Sequence, residues 1–263
     1  MYSKEHLEYL RKIKINKFLV RFTQVFIIVF LIVLWQVAAD NGWINTFISS
    51  SPKAAIKTVI SLYNDGTLLH HMWVTFYEVV ISFILGTLIG LIIATLLWRF
   101  KFLSNVLDPY LTVLNSLPKV SLGPIIIIVA GAGIKSIIIM ALFISVIITI
   151  MDIYGAFSST DYNKIRLMQS FNASQSQIFF KLILPSNFKN IISVLKVNLS
   201  LTFIGVIMGE FLVSKAGIGY LIMYGSQVFN LNLVVAGIII LAFMASVLYY
   251  LILFIEKRLS KNR

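Results

Sequence analysis

The chain has 263 residues, of which 59% are hydrophobic and only 12% are charged. Soluble domains carry about 25% charged residues, so this chain has too little charge to cover its surface in water and is indicated to be an integral membrane protein. The absence of cysteine excludes disulfide frameworks, thiolate metal sites and cysteine nucleophiles.

The net charge of +12 is distributed in alternating basic clusters. Basic residues precede the first apolar run, follow the last one and gather in two of the connections between them. This alternation is typical of the positive-inside pattern, because anionic lipid of the inner leaflet attracts basic loops. It predicts a multi-pass protein of the cell (plasma) membrane with cytoplasmic termini (1–21 and 256–263), and it argues against a nucleic-acid partner.

Six apolar runs predict six membrane-spanning helices. The first run has 18 residues, which at about 1.5 Å per residue is enough to cross a hydrocarbon core. It is too long for a signal-peptide core, so an uncleaved anchor is favoured. The predicted spans are 22–39, 73–98, 103–129, 134–150, 191–213 and 233–255.

Prolines and small residues add local detail to these spans. In the connection at 40–71, Ser51 followed by Pro52 predicts the start of a short amphipathic helix. Three prolines are expected to break the third span, namely Pro109, Pro118 and Pro124.

Small residues recur at every fourth position in the second and fifth spans. Gly86, Gly90 and Ala94 form one such stripe, and Gly205 and Gly209 form another. Such stripes let two helix backbones approach closely. The sequence leaves two alternatives open: packing within one subunit, or packing between two copies of the chain.

Few polar residues lie at membrane depth. An ionisable group there costs at least about 2.5 kcal/mol on insertion scales and normally faces protein or water. We therefore expect Glu210, Lys119 and the nearby Ser121 to line a polar route or its gate, with helix–helix hydrogen bonding as the alternative. Lys196 and Glu78 are also candidates to face protein or water, with extension towards the membrane interface as the alternative for Lys196 and exposure at that interface as the alternative for Glu78.

No catalytic or metal-binding pattern is present. The histidines are His6, His70 and His71, and adjacent residues such as the last two point about 100° apart on a helix. The ten carboxylates show no paired spacing, and no glycine loop suited to phosphate occurs. We therefore expect no catalytic residue and no metal site.

Residues 166–185, RLMQSFNASQSQIFFKLILP, form an amphipathic stretch between the fourth and fifth spans. Ile165, Met168 and Phe171 lie three positions apart and predict one apolar stripe on a helix that begins near Tyr162. Because lipid does not cover this segment, the stripe requires a protein partner.

A turn and a second helix are predicted to follow. Asn172 tolerates the left-handed conformation that ends a helix, and Ser174 with Gln177 forms a capping box. Pro185 is then expected to begin the turn into the fifth span. The prediction is a helix–turn–helix hairpin on the cytoplasmic side.

This stretch resembles the cytoplasmic loop of ABC importer permeases, whose pattern is E-A-A, three residues, G, nine residues, then I-x-L-P. Two further segments, 107–134 and 205–222, are similar to signatures of the nitrate/sulfonate/taurine branch of that family. The resemblance covers about residues 50–255. The residues that match the loop pattern are Arg166, Leu167, Met168, Asn172, Leu182, Ile183, Leu184 and Pro185.

The resemblance implies an all-α membrane domain of six transmembrane helices (22–255), with a cytoplasmic coupling-helix hairpin between spans four and five (loop about 152–190). It implies a permease subunit that forms the translocation pathway for a small solute, such as nitrate, a sulfonate, taurine or a vitamin precursor. The residues implied to dock the ATPase are Ile165, Arg166, Met168, Gln169, Phe171, Asn172 and Ala173.

The resemblance also implies the partners. These are a second copy of the chain, two ABC ATPase subunits, an extracytoplasmic solute-binding protein and membrane lipid. ATP and Mg²⁺ would bind in the ATPase, and no cofactor would bind in this chain.

The family pattern has an acidic residue where Arg166 stands, which puts an inherited salt bridge in doubt, and a glycine where Asn172 stands.

The alternative function is a secondary transporter or channel. Such a protein would be expected to have coupled carboxylates in the membrane and no exposed apolar hairpin. A membrane enzyme would need a nucleophile or acid–base pair within a span, and none is found.

Overall fold

The computed structural model describes residues 4–261, and within that range the chain forms helices and turns without a strand. A 3₁₀ turn at Lys119–Leu122 and a π-helical segment at Phe179–Ile183 accompany the α-helices. The α-helices are α1 (Lys4–Asp40), α2 (Thr46–Ser49), α3 (Pro52–Asn64), α4 (Thr67–Arg99), α5 (Lys101–Ser116), α6 (Gly123–Ala130), α7 (Ile134–Ser158), α8 (Tyr162–Ser170), α9 (Gln175–Ile178), α10 (Leu184–Ser186), α11 (Phe188–Val213), α12 (Ile218–Gln227) and α13 (Leu231–Lys261).

Five of these helices are long and apolar enough to cross a membrane, namely α1, α4, α7, α11 and α13. Helices α5 and α6 make a sixth, bent span, with an angle of 87° between its halves. The prediction of an all-α protein with six spans is therefore confirmed. We call the end that carries α8 the inner end and the opposite end the outer end, following the orientation predicted from the basic residues.

The spans extend beyond their apolar runs. The fourth was expected to end near residue 150, but α7 continues to Ser158. The additional turns are helical because Ile153 and Phe157 are fully buried against the inner end of the bundle. Tertiary packing, rather than local hydropathy, sets this boundary.

Helix α7 lies between α4 and α11 at the centre of the bundle, and the small residues of α4 face it. A Cβ atom at Gly86 would lie 3.0 Å from Oγ of Ser145, and one at Gly90 would lie 2.5 Å from Cγ2 of Thr149. Ala94, on the same stripe, is fully buried. Close approach of two backbones requires these small side chains.

Helix α11 approaches α7 in the same way. A Cβ atom at Gly205 would overlap the backbone of Ala141, and one at Gly209 would lie 2.9 Å from Cα of Ile137. Of the two alternatives for the small-residue stripes, the structure shows packing within one chain. These glycines therefore provide no surface for a second copy.

The connection between α1 and α4 forms the predicted amphipathic helix, α3. Ser51 caps it by accepting a hydrogen bond from the N–H of Ala54, and Pro52 occupies its first turn. The N–H of Lys53 donates to Oε1 of Gln36 over 3.0 Å, which joins α3 to α1. The described residues of the chain do not bury the apolar segment of α1.

Candidate functional site

The inner hairpin has the predicted backbone. Helix α8 ends at Ser170, and Asn172 adopts a left-handed conformation with φ of 55°. The N–H of Ala173 then donates to the carbonyl of Met168 over 3.1 Å. This bond closes the turn and satisfies a carbonyl at the end of the helix.

The capping box at the second helix of the hairpin is also present. The N–H of Gln177 donates to Oγ of Ser174 over 3.3 Å, and the N–H of Ser174 donates to Oε1 of Gln177 over 2.8 Å. Two backbone donors are thereby satisfied reciprocally. The predicted helix–turn–helix is confirmed.

The apolar stripe of α8 divides into two parts, which corrects the prediction of one partner-binding face. Ile165 and Met168 are partly buried and, together with Ala173, pack against the chain's own inner core. Phe171 points away from that core and is 76% exposed. The stripe was misassigned because the spacing of three positions could not show that the chain itself covers two of its members.

The exposed face of the hairpin combines aromatic and polar groups. The guanidinium of Arg166 lies 4.9 Å from the centre of the Tyr162 ring, a cation–π contact. Gln169, Phe171 and Asn172 are exposed beside it. Of the seven residues predicted to dock a partner, these three and Arg166 are accessible.

The hairpin is firmly attached to the spans on either side. The buried side-chain amide of Asn187 donates to Oγ1 of Thr160 over 2.7 Å and to the carbonyl of Ile183 over 3.0 Å. It thus joins the end of α7 to the start of α11.

The chain does not turn at Pro185, where a turn was predicted to begin. The chain remains helical through Leu184–Ser186, and a π-helical segment at Phe179–Ile183 precedes the proline. Proline removes a backbone donor and crowds the preceding turn, and a π segment is one way in which a helix accommodates such a defect. Asn187 interrupts the helix two residues after the proline.

The break in the third span occurs at Leu117 and Pro118. Of the other two prolines expected to break it, Pro109 lies inside α5 and Pro124 lies in the first turn of α6. Proline is accepted in a first turn because the N–H it lacks would have no partner there. The sharp bend therefore has a single location.

Polar side chains gather at this bend. Nζ of Lys119 donates to the backbone carbonyl of Asn115 over 3.0 Å and to its side-chain oxygen over 3.1 Å. Oγ of Ser121 donates to the carbonyl of Pro118 over 2.7 Å. Asn115 and Ser121 are exposed on the surface of the chain, although the bend belongs to a membrane-spanning segment.

Glu210 occupies a different environment from the one predicted. It is 1% exposed and lies among α4, α11 and α12 rather than beside an open route. Its Oε1 accepts a hydrogen bond from Thr75 over 2.7 Å, and its Oε2 accepts from the N–H groups of Gly219 at 2.5 Å and Tyr220 at 3.2 Å. The alternative of helix–helix hydrogen bonding is the one that the structure shows.

Two other charged residues also face protein. Glu78 is fully buried beside Glu210, so the alternative of exposure at the interface does not apply to it. Lys196 forms a salt bridge of 2.7 Å with Glu256 of α13. The hydropathy of one helix could not show these partners, because a neighbouring helix supplies each of them.

Helix α12 is a short helix that the apolar runs of the sequence do not predict. Its N-terminus receives the carboxylate of Glu210, and Gly217 just before it donates its N–H to Nδ1 of His71 over 3.0 Å. The G-I-G-Y sequence at 217–220, with a glycine of positive φ at its start, is the signal that could have identified this helix. Among the described residues, no group of three or more potential metal ligands is found.

Comparison with known proteins agrees with this architecture. The family described as binding-protein-dependent transport system inner membrane component matches residues 86–261. A probable ABC transporter permease protein of Haemophilus influenzae is 29% identical over 84% of this chain and 89% of its own length. A putative aliphatic sulfonates transport permease protein of Bacillus subtilis is 26% identical over 89% of this chain and 84% of its own length.

A solved structure also resembles the fold. A chain of the MetNI methionine ABC transporter, in an inward-facing conformation, superposes with a TM-score of 0.63 at 18% identity. The match covers 74% of this chain and 95% of that one. With six apolar spans, the inner hairpin and the family match over 86–261, this chain belongs to the binding-protein-dependent transport system inner membrane component family and is a permease of the ABC importer type.

Proposed function

We propose that this permease works as a pair of identical subunits and couples to two ABC ATPase subunits through the hairpin of α8 and α9. ATP and Mg²⁺ bind in the ATPase, and this chain performs no covalent chemistry. The observation that carries the proposal is the exposed face of α8, where Phe171 is 76% accessible.

The hairpin is suited to docking because its two faces differ. Ile165 and Met168 hold it against the inner core of the same chain, whereas Arg166, Gln169 and Phe171 remain accessible. An exposed aromatic on a well-anchored element buries a large apolar area when a partner covers it, which is typical of an interface anchor. Asn172 fixes the direction of the turn beside it.

The proposal of a pair rests on the bend between α5 and α6. Irregular backbone and polar side chains at membrane depth are tolerated only against protein or a water-filled cavity. Asn115 and Ser121 face outward from the single chain. A second copy that covers this surface would enclose a polar route, and Lys119 and Ser121 would lie along it.

The resemblance to ABC importer permeases supports the proposed transport cycle. ATP binding would bring the two ATPase subunits and the attached hairpins together and open the route outward, and hydrolysis would return it inward. An extracytoplasmic binding protein would deliver the solute. A curated relative is named for aliphatic sulfonate transport, which supports a small solute of the nitrate, sulfonate, taurine or vitamin-precursor class.

The test is purification of the intact chain together with its cognate ABC ATPase in lipid nanodiscs. Native mass measurement should give two copies of the permease with two copies of the ATPase, and the complex should hydrolyse ATP. A single permease copy beside two ATPases would refute the homodimer. Failure of any ABC ATPase to copurify with a well-folded permease would refute the coupling.

A further inference from the structure

Two carboxyl groups meet within the outer half of the bundle. Glu78 of α4 is fully buried, Glu210 of α11 is 1% exposed, and the two carboxyl groups lie beside each other, because Thr75, one helical turn before Glu78, donates to Glu210. Neither is neutralised by a basic group, because the salt bridge among the described side chains joins Lys196 to Glu256. This pair plays no part in the docking hairpin or in the bend between α5 and α6.

The hydrogen-bond donors around the pair are distributed unequally. Glu210 accepts from the hydroxyl of Thr75 and from two N–H groups, those of Gly219 and Tyr220. No hydroxyl, N–H or other donor group in the described part of the chain reaches either carboxyl oxygen of Glu78. The positive end of α12 also points at Glu210 and favours negative charge there.

The glycines that open α12 allow this arrangement. A Cβ atom at Gly219 would lie 2.8 Å from Oε2 of Glu210, and one at Gly217 would overlap the same carboxylate. Any other side chain at these positions would separate the N–H donors from the acceptor. The two glycines of the G-x-G sequence therefore let the carboxylate of Glu210 contact the N–H groups at the start of α12 directly.

Two ionised carboxylates side by side in this buried site would raise the free energy of the folded protein strongly. Each would lose its hydration, and the two charges would repel one another in a surrounding of low polarity. Two carboxyl oxygens are both acceptors, so a hydrogen bond between them requires a proton. Carboxyl pairs in contact typically hold one proton between them.

We propose that Glu78 and Glu210 form a proton-binding site in which Glu78 carries the proton and donates it in a hydrogen bond to ionised Glu210. The bound proton then joins α4 to α11, while Glu210 holds the N-terminus of α12. Three elements of the outer end are thereby connected through one buried site. This inference goes beyond transport of the solute and holds whatever the solute is.

Among the described residues, no basic side chain forms a salt bridge with either carboxyl group. On α4, His71 accepts from the N–H of Gly217 instead. In the connection before α12, Lys215 is exposed.

The site also differs from a proton-transport relay. Both carboxyls are closed off by α4, α11 and α12, and neither lies at the exposed bend of the third span. The pair therefore does not favour a secondary transporter. Its role in this arrangement is to position the outer ends of three helices.

Infrared spectroscopy of the full-length protein at neutral pH, in a glycoside detergent that has no carbonyl group of its own, tests the proposal directly. The wild-type protein should show the carbonyl band of a protonated carboxylic acid, and Glu78→Gln should lose that band. Asp152→Asn, which changes a carboxylate on α7, should retain it. Absence of the band from the wild-type protein, or its persistence in Glu78→Gln, would overturn the proposal without requiring any variant to be stable.

Thermal unfolding separates the two positions. The amide of Glu78→Gln can replace the acid as a donor, so its melting temperature should match that of the wild-type protein. Glu210→Gln should melt at a lower temperature, because an amide cannot accept from all three donors. The reverse order would place the proton on Glu210, and a wild-type protein stabilised by sodium without an acid band would indicate a metal cation instead of a proton.

Discussion

Thr75 and Glu210 are 135 positions apart in sequence, yet the hydroxyl of Thr75 donates to Oε1 of Glu210 over 2.7 Å. The same hydroxyl oxygen accepts the N–H of Ile218 over 2.8 Å. One side chain of α4 therefore connects the end of α11 to the start of α12. Since all three groups are buried, none of them has water as a substitute partner.

Replacement of this hydroxyl should destabilise the protein measurably. Thr75→Val keeps the shape but leaves a buried N–H and a carboxylate oxygen without a partner, at a cost of about 1–3 kcal/mol. Thr75→Ser retains the hydroxyl and is the matched control. Thermal unfolding in nanodiscs should show a lower melting temperature for the valine variant, and equal values for the two variants would contradict the role of the hydrogen bonds.

The exposed tip of the inner hairpin should control recruitment of the ATPase. Phe171→Ala removes an interface anchor and should cost at least about 2 kcal/mol, roughly thirtyfold in affinity. Asn172→Pro should be as damaging or worse, because proline cannot adopt the observed φ of 55°. Arg166→Ala should have a smaller effect, since an exposed charged contact is worth about 0–1 kcal/mol.

Copurification of the ATPase with each variant measures this order. Phe102→Ala is the control, because Phe102 is another phenylalanine near the inner end and is 82% exposed. It should bind the ATPase as the wild-type protein does. Recruitment at the wild-type level by Phe171→Ala would remove that residue from the docking surface.

The polar bend of the third span should be accessible to water in the assembled transporter. The chain contains no cysteine, so single cysteines can be introduced without other changes. Ser121→Cys should react with a membrane-impermeant thiol reagent. Ile28→Cys, in the apolar segment of α1 with 60% of its surface exposed, should not react because it contacts lipid, and equal labelling of the two would contradict the proposed route.

The contact between α11 and α7 should not tolerate one additional carbon atom at Gly205. A Cβ atom there would meet the backbone of Ala141, and overpacking of a close contact costs about 1–3 kcal/mol. Gly155→Ala is the control, because a Cβ atom at Gly155 of α7 meets nothing within 4 Å. Thermal unfolding should show a loss for Gly205→Ala alone, and a similar loss in both variants would indicate a general effect of helix composition.

The salt bridge between Lys196 and Glu256 should appear as a coupling between α11 and α13. Its side chains are 21% and 29% exposed, so each single replacement by alanine should cost about 1 kcal/mol or less. The double exchange, Lys196→Glu with Glu256→Lys, should recover the melting temperature lost in either single exchange. Additive losses in the double exchange would show that the two charges are independent.

The sequence by itself determined the membrane class, the six spans, the hairpin and its turn. These features depend on short-range physics: apolar length for a span, a left-handed turn for Asn172, and reciprocal capping for Ser174 and Gln177. Each can be inferred from residues that are close in the chain. The resemblance to permeases depended on the same local patterns.

Only the tertiary structure decided which residues meet. It placed Ile165 and Met168 against the chain's own core, Glu210 beside Glu78 and Thr75, and the glycine stripes of α4 and α11 against α7. The periodicity of a helix predicts that one face will be buried, but it does not show which residues bury that face. A buried carboxylate and an exposed one therefore look the same in sequence until the neighbouring helices are in place.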